Sequence, residues 1–592
     1  IILVKHYIIL FLKIRIKNYL SHKITWVIIM CGIYGFIGKG NTDEFIKKLS
    51  LLEYRGYDSC GIAYEYKNHI FMIKTIGNTS NLKKNTKLSS FDVAIGHTRW
   101  ATHGVITPVN AHPFTSTKGR FYCVHNGVID NYLELKSKYN IKTNSDTDSS
   151  IIPYLLDIYF KDNVIDALKI LINELKGTFA IVILDKYNSN KLYFLKNKSP
   201  LLINKANDGI SISSDQISFK NDSSVIVLND YDYGYIDNES YYITNDRNNI
   251  ERITFVKNDS LKINKQSNHY MLDEIYYQKE LPYIISTKYK NIHLDFFKSE
   301  LFNSKEIVFV GSGSSYYAAS ILAYQYEHKL HKRCYSVIAS EITNFMFNPE
   351  TMVILLSQSG ETMDLCLGLD YIKRNKLKIF SLCNVLHSTL GYQSDYVFPL
   401  SVGREISVAS TKAFMAMLYV GRGLLINDYF SNYQFIQKSI ENALGLESKI
   451  KDLVTDISKS NIIFYIGSGI DYIYSLEGSL KLKEVSYLHS FSINSGELKH
   501  GSLALVDSNT YCIAILSQAN LYNSITSSLS EVRSRGGKTL LISNVAKDSD
   551  LYVEGDSLAL IVIMQLISYY TALKLNRSID QPRNLAKSVT VK

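Results

Sequence analysis

"IVFVGSGSSYYAAS", residues 307–320, returns later in the chain as "IFYIGSGIDYIYS", residues 463–475, with Gly311 over Gly467 and Gly313 over Gly469. Each copy is a run of β-branched and aromatic residues that ends in a Gly-Ser-Gly turn and opens into a long helical stretch. Further along, "ILLSQSGET" (354–362) is echoed by "AILSQANLY" (514–522). Strand, turn and long helix recur from about residue 269 onward, which predicts parallel sheets with helical crossovers. The expected architecture here is two doubly wound α/β domains of one design.

The copies differ where a ligand would sit. A strand-to-helix turn presents free backbone N–H groups at the positive end of a helix dipole, and Gly and Ser let a phosphate come close. The first copy adds hydroxyls at Ser312, Ser314, Ser315, Ser357, Ser359 and Thr362. In the second copy Ile470 and Asp471 replace the serine pair, and Ala519 and Asn520 replace Ser359 and Gly360. An aspartate there repels phosphate, so the first copy is expected to hold it. A dinucleotide fold is the competing reading, but Tyr316 and Tyr472 stand where GxGxxG needs its third glycine.

At 592 residues the chain is too long for one core, and 46% hydrophobic with 20% charged residues is a globular composition. The net charge of +10 includes +5 from Lys5, Lys13, Arg15, Lys17 and Lys23 in an acid-free first 29 residues, leaving +5 for the remainder. No basic run interleaved with aromatics follows, so nucleic-acid binding is disfavoured. Seven cysteines without a CxxC pair argue against a disulfide framework or a metal site and suit a reducing cytoplasm. The longest apolar run of the leader, Tyr7–Leu12, is too short for a membrane span, and no other segment suffices. Residues 1–30 read either as an over-extended frame, as a targeting segment or as a true extension. The leader is expected to be absent from the mature protein.

From Cys31 to about residue 255 short β-rich runs such as "FDVAIGHTRW", "RFYCVHNGVI" and "TFAIVILD" alternate with Gly, Asn and Asp, with helix-like stretches near 43–53 and 147–175. An α+β domain built on antiparallel sheets is expected. Residues 256–268, "VKNDSLKINKQSN", are polar and aperiodic and read as a linker. Cys31 follows Met30, whose removal a small second residue favours. A freed Cys31 would carry an α-amine with pKa of about 7.7–8.0 that can take the thiol proton, the economy of N-terminal nucleophiles.

The segments "CGIYGFIG" (31–38), "LEYRGYDSCGIA" (52–63), "GHTRWATHG" (96–104), "NAHPF" (110–114), "VHNGVIDN" (124–131) and "SDTDS" (145–149) resemble class II glutamine amidotransferases with an N-terminal cysteine. The resemblance implies that Cys31 attacks the glutamine carboxamide to give a γ-glutamyl thioester and ammonia, with Asn126 and the backbone N–H of Gly127 as oxyanion hole. It implies that Arg99 and Asp146 bind the α-carboxylate and α-amine, residue types that suit a forked carboxylate pair and an ammonium. Trp100, Thr102 and His103 line the site by the same resemblance. From the residues alone, His103 and His112 equally suit structural histidines, and Trp100 equally suits core packing.

The second half resembles sugar isomerase (SIS) domains. With "EISVASTKAF" (405–414), "LEGSLKLKEVSYLH" (476–489), "SGELKHGSLALVD" (495–507) and "PRNLAKSVTVK" (582–592), the chain from Cys31 to Lys592 is similar to the glutamine:fructose-6-phosphate amidotransferase family. The resemblance implies an aminotransferase that makes D-glucosamine 6-phosphate and L-glutamate from L-glutamine and D-fructose 6-phosphate, with no cofactor. It implies phosphate docking at Ser314, Ser315, Ser357, Gln358, Ser359 and Thr362, and a Schiff base from Lys587 to C2. Glu484 would move the proton between C1 and C2, helped by Lys481. His500 would open the sugar ring from the partner subunit of a homodimer, and Ala586 would line the sugar beside Lys587. By spacing alone, Lys481, Lys483 and Glu484 equally suit a solvated charged face. Ammonia released into water would be protonated, so an internal passage gated by Trp100 is implied.

The implied division is a leader (1–30), a class II glutaminase domain (31–255), a linker (256–268), SIS domains at 269–445 and 446–580, and a closing tail (581–592). Two departures stand out. Asp273 lies in "HYMLDEI" (269–275) where a lysine is common, and "QKELP" (278–282) replaces a usual Gln-Pro, which bears on how the domains couple. The rival readings are another class II amidotransferase, and a sugar-phosphate-binding regulator without catalysis. The paired repeats with the "NLAKS" tail argue against the first, and Cys31, Glu484 and Lys587, all present, argue against the second.

Overall fold

The computed structural model describes residues 31–87, 89–100, 104–221, 223–247, 252–256, 266–290, 292 and 294–587. The leader, Thr102 and His103, most of the predicted linker and the last five residues of the tail lie outside the described residues. The chain divides into two compact units, one ending near residue 258 and one running from there to residue 589.

The first unit holds two antiparallel sheets. One runs Thr254–Val256, Ser224–Val227, Leu202–Ala206, Gly209–Ser213, Gly32–Asn41, Ser90–Arg99, Ser59–Tyr66, His69–Ile76. The other runs Tyr241–Thr244, Tyr233–Ile236, Leu192–Asn197, Gly177–Asp185, Phe121–Ile129, Phe114–Thr115. Period-2 alternation makes each sheet two-faced. Ile33, Ile37, Val93 and Ile95 meet Val124, Val182, Leu184 and Phe194 between the sheets. Tyr34, Ile62 and Ala94 point the other way, onto Phe45, Ile46 and Leu49 of helix Thr42–Ser50. Helices Ile152–Tyr159 and Val164–Glu174 cover the outer face of the second sheet through Leu155, Leu156, Leu168 and Leu171. The helical stretch expected over 147–175 is thus two helices. Asn163 ends the continuity, since its side chain accepts from the Ile165 N–H at 2.9 Å and caps the second one.

The second unit holds two five-stranded parallel sheets with the same order. The first runs Arg333–Ile338, Glu306–Gly311, Thr351–Ser357, Lys378–Cys383, Tyr396–Pro399. The second runs His489–Asn494, Ile462–Gly467, Thr510–Leu516, Lys538–Ser543, Leu551–Tyr552. In this order the sheet grows one way from the first strand to the second and the opposite way from the third onward, and ligands of open α/β sheets bind at that switch point, beyond the carboxyl ends of the first and third strands. Strand Glu306–Gly311 sends Val308 and Val310 to helix Met363–Arg374. It sends Ile307 and Phe309 into a core that the second copy shares through Tyr465, Tyr474 and Ile563. The two repeats are therefore one compact body with one central core.

The two departures have structural occupations. Asp273, buried, accepts the Gln266 and Ser267 N–H groups at 3.1 and 3.0 Å, closing the turn that starts helix Tyr270–Tyr277. Asp580 caps the same helix by accepting from the Tyr270 and Met271 N–H groups, both at 2.9 Å. Gln278, fully buried, donates to Gln565 at 2.6 Å.

Candidate active sites

Cys31 opens strand Gly32–Asn41 and is 1% exposed, packed on Val128. Its thiol donates to the Trp100 carbonyl at 3.9 Å, and the Asn126 amide donates to the Cys31 carbonyl at 2.7 Å. Neighbouring strands of the two sheets thus bring Cys31, Trp100 and Asn126 together. Gly127 has φ +129, and a Cβ there would lie 2.0 Å from the Thr178 carbonyl oxygen, so only glycine holds this position. Burial pushes the Cys31 thiol up to about 12, against the opposing pull of Arg99 and Arg55. A thiol in that state is a poor nucleophile unless a base sits beside it.

Arg99 donates to the Gly104 carbonyl at 3.4 Å, and a Cβ on Gly104 would lie 3.5 Å from the Asp146 Cβ. Asn110 ties these loops: its amide donates to the Val105 carbonyl at 3.0 Å while its oxygen accepts from Ser145 at 2.9 Å and the Asp146 N–H at 3.3 Å. Asp146 is exposed. Asp148 is 2% exposed, accepts the Ile129 N–H at 2.8 Å, and lies close enough to bear on the charges of Cys31, Arg99 and His125. Trp100 is half-buried, edge-on to Tyr57 at 5.6 Å between ring centroids.

Three buried histidines stand behind this site. His97 and His112 lie ring against ring at 3.9 Å, and His97 donates to the His125 carbonyl at 2.9 Å. Burial holds His97 down to about 3 and pushes His112 and His125 below the usual histidine value. In the unfolded chain all three protonate near pH 6.5, whereas in the folded chain they stay neutral, so the unfolded state binds more protons as pH falls below that value. Their contribution to stability therefore drops on acidification, by up to roughly 1.4 kcal/mol per pH unit for each histidine. Glu477, Glu274 and Asp130, pushed up to about 8, 8 and 7 chiefly by burial, act in the opposite sense over the same range. The histidine part is isolated by substitution: between about pH 7.5 and about pH 5.5, His112→Gln should change its urea-derived stability by about 1.4 kcal/mol in the favourable direction relative to the unsubstituted protein, and identical pH dependence of the two would contradict it.

In the second unit the two Gly-Ser-Gly turns superimpose in conformation. Gly313 and Gly469 have φ of 57 and 56, and a Cβ on Gly311 or Gly467 would lie 2.6 or 2.4 Å from the first helical turn. The first crevice gathers Ser312, Ser314 and Ser315 at the start of helix Ser314–Leu330 with Ser357, Gln358, Ser359 and Thr362 beyond strand Thr351–Ser357. Ser357 accepts the Gly360 N–H at 2.9 Å and pairs with the Thr362 hydroxyl at 3.1 Å. Among the described residues, the buried Ser312 hydroxyl has no hydrogen-bond partner. The Ser314 hydroxyl turns away to donate to Glu477 at 3.1 Å.

Glu477 starts a charged row. Glu477, Lys481 and Glu484 stand at i, i+4 and i+7 on helix Ile470–Ser486, one face of it. Lys481 is 1% exposed, lies 3.7 Å from Glu477 and hydrogen-bonds Glu484, which excludes the solvated-face reading for it. Lys483 is exposed. Burial pushes Glu477 up to about 8, with Lys481 opposing. Burial works against the Lys481 ammonium, but Glu484 and Glu477 more than offset it and hold it above the usual lysine value.

Lys587 pairs with the buried Glu405. Glu405 also accepts the Thr411 and Ala413 N–H groups, both at 3.0 Å, at the start of helix Lys412–Leu425. Burial raises the Glu405 carboxyl, yet Lys587 and these donors bring it below the usual carboxylate value. Glu274 and Lys412 complete the cluster, the first pushed up and the second down, chiefly by burial. Glu405 also bears on Lys481, so the Lys587 pair and the Lys481 row share one electrostatic site. Ala586 is half-buried beside Lys587. His500 is exposed at the end of the short helix Ser495–His500, and among the described residues no hydrogen bond or ion pair ties it to this row.

Glu405, Glu477 and Asp148 carry no role in the sequence reading. The signal for Glu477 was available, since an acid four residues before Lys481 on one helix shares its face. Glu405 and Asp148 show their burial only in the fold. Among the described residues, no cluster of three or more His, Cys, Asp or Glu has the geometry of a metal site, and no helix is long and apolar enough to cross a membrane.

Comparison with known proteins agrees with both halves. A family model described as SIS domain matches residues 300–427 and 456–563, and one described as Glutamine amidotransferase domain matches residues 97–221. The chain is similar to the glutamine–fructose-6-phosphate aminotransferase (isomerizing) of Helicobacter pylori, 35% identical over 95% of this chain and 100% of that one. It is likewise similar to the enzyme of that name from Buchnera aphidicola, 36% identical over 95% of this chain and 100% of that one. A solved structure, the C-terminal domain of glucosamine-fructose-6-phosphate aminotransferase from Francisella tularensis, is 32% identical and covers 54% of this chain and 99% of that one, with a TM-score of 0.48. Through its relatives, aligned over nearly their whole length, the chain belongs to the glutamine–fructose-6-phosphate aminotransferase (isomerizing) family.

Proposed function

We propose that the chain transfers the amide nitrogen of L-glutamine to D-fructose 6-phosphate and isomerises the adduct, giving D-glucosamine 6-phosphate and L-glutamate. The observation that carries this reading is the joining of a buried cysteine beside an Asn-Gly pair with a buried lysine-carboxylate site next to a hydroxyl-lined crevice, in a chain of this family. Cys31 attacks the carboxamide carbon, with Asn126 and the Gly127 N–H receiving the oxyanion. Ammonia leaves as the thioester forms, and water then releases glutamate. Trp100, whose carbonyl holds the thiol, keeps water from the ammonia.

In the second unit the crevice of Ser312, Ser315, Ser357, Gln358, Ser359 and Thr362 takes the phosphate. Lys587 gives its proton to Glu405 and condenses with the C2 carbonyl, and ammonia displaces it to leave a C2 imine. Glu484 takes a proton from C1 and returns one to C2, which converts imine and C1 hydroxyl into amine and C1 aldehyde. Lys481 holds Glu484 in place. The exposed position of His500 supports its acting on the sugar of a second copy in a homodimer. We place the reaction in the cytoplasm. We divide the chain as a leader to residue 30, a glutaminase domain to 255, a linker to 268, SIS repeats meeting near 445, and a tail from 581.

Product formation from the two substrates, followed by mass spectrometry, tests the reading, and its absence from active-site-intact protein refutes it. The same assay assigns the ammonium partner of glutamine. Burial beside Arg99 and Cys31 favours Asp148, so Asp148→Asn should raise the glutamine KM by about tenfold or more while Asp146→Asn changes it less than about threefold. The opposite ranking returns that role to Asp146.

A further inference from the structure

The second Gly-Ser-Gly crevice has the same backbone as the first, yet it is filled. Asp471, which stands in the repeat where the first copy has Ser315, is completely buried. One of its carboxylate oxygens accepts the Ser517 N–H at 2.9 Å, the other accepts the Ser517 hydroxyl, and the Gln518 N–H also donates to it. Ser517 and Gln518 are the repeat counterparts of Ser357 and Gln358. The counterparts of the residues proposed to hold phosphate in the first copy face a carboxylate from the chain itself in the second. A buried carboxylate is costly unless several donors meet it, and here a strand end supplies them.

We propose that the second crevice is an anion site filled from within: Asp471 takes the place of a phosphate, and by gripping Ser517 fixes the start of the helix that carries Lys481 and Glu484. Helix Ile470–Ser486 is 17 residues long, and its row of Glu477, Lys481 and Glu484 begins less than two turns past Asp471. The turn is held on its other side by Ser468, whose hydroxyl pairs with Ser495 at 2.5 Å, next to the segment that carries His500. The first copy needs its crevice open for substrate, so the anchor that sets the catalytic helix has to be internal to the second. Asp471 is thus a positioning residue, acting through the helix and never touching the sugar.

The catalytic part of this inference rests on the isomerase reading of Lys481 and Glu484, while the filling of the crevice does not. The test uses the full chain carrying Asp471→Ser, which makes the second crevice resemble the first. Equilibrium dialysis with inorganic phosphate should find one more phosphate bound per chain than in the unsubstituted protein, a result that needs no turnover. In the synthase assay kcat should fall about tenfold or more with the fructose 6-phosphate KM changed less than about twofold, and glutamine hydrolysis should be untouched. Acetate should restore much of the lost kcat by filling the vacated crevice. An unchanged phosphate count together with no rescue by acetate overturns the proposal. If Asp471→Ser does not fold, Asp471→Asn keeps the volume without the charge, and a kcat equal to that of the unsubstituted protein overturns it equally.

Discussion

Cys31→Ala protein, given L-glutamine and D-fructose 6-phosphate, is expected to form no glucosamine 6-phosphate, a loss of about 10⁴-fold or more, as when a nucleophile that works as part of a set is removed. Its fold should persist, since the side chain is small and, among the described residues, its thiol makes one weak hydrogen bond, to the Trp100 carbonyl. The physical reason lies in the state of the thiol. Burial raises its pKa far above neutral pH, so the thiolate is scarce, and burial likewise keeps the three histidines nearby from taking its proton. A base within reach remains necessary, and an α-amine on Cys31 itself supplies one. Protein that keeps residues ahead of Cys31 should therefore hydrolyse no glutamine, and N-terminal sequencing of active protein should begin at Cys31. Full activity from a chain with Ile1 at its amino terminus would falsify the nucleophile assignment, and so would glutamine-dependent product from Cys31→Ala.

The fold of both halves was legible because it rests on local patterns. Period-2 runs in the first half and Gly-Ser-Gly turns at the ends of apolar runs in the second specify antiparallel and parallel sheets before any tertiary contact is known. The joining of the repeats into one core was not legible, because Tyr465, Tyr474 and Ile563 look like any other interior residues until their partners are seen. The candidate sites divide the same way. Residues that chemistry marks by type, such as Cys31 or Lys587, stood out, whereas Glu405 and Asp148 are ordinary acids whose meaning comes from being buried. Asp471 is the instructive case. An aspartate in a phosphate crevice reads in sequence as a repelling charge, and in the fold it is the anion that crevice holds.

Lys587→Ala should abolish product while leaving slow glutamine hydrolysis, with the synthase rate down by about 10³-fold or more. Lys587 is the one cation in hydrogen-bond contact with Glu405 among the described residues, and both side chains are almost wholly buried. Removing one member of a buried pair leaves the other uncompensated, at about 3–5 kcal/mol, so loss of activity in the alanine variant alone does not separate chemistry from folding. Lys587→Arg separates them. A guanidinium keeps the charge beside Glu405 but does not condense with a ketone, so this variant should keep its thermal midpoint and still make no product. Borohydride added with fructose 6-phosphate should then tag the peptide that contains Lys587 in the unsubstituted protein and leave it untagged in Lys587→Arg. A tag found only on another lysine, or product at the normal rate from Lys587→Arg, removes the Schiff base from Lys587 and leaves it the narrower task of balancing Glu405.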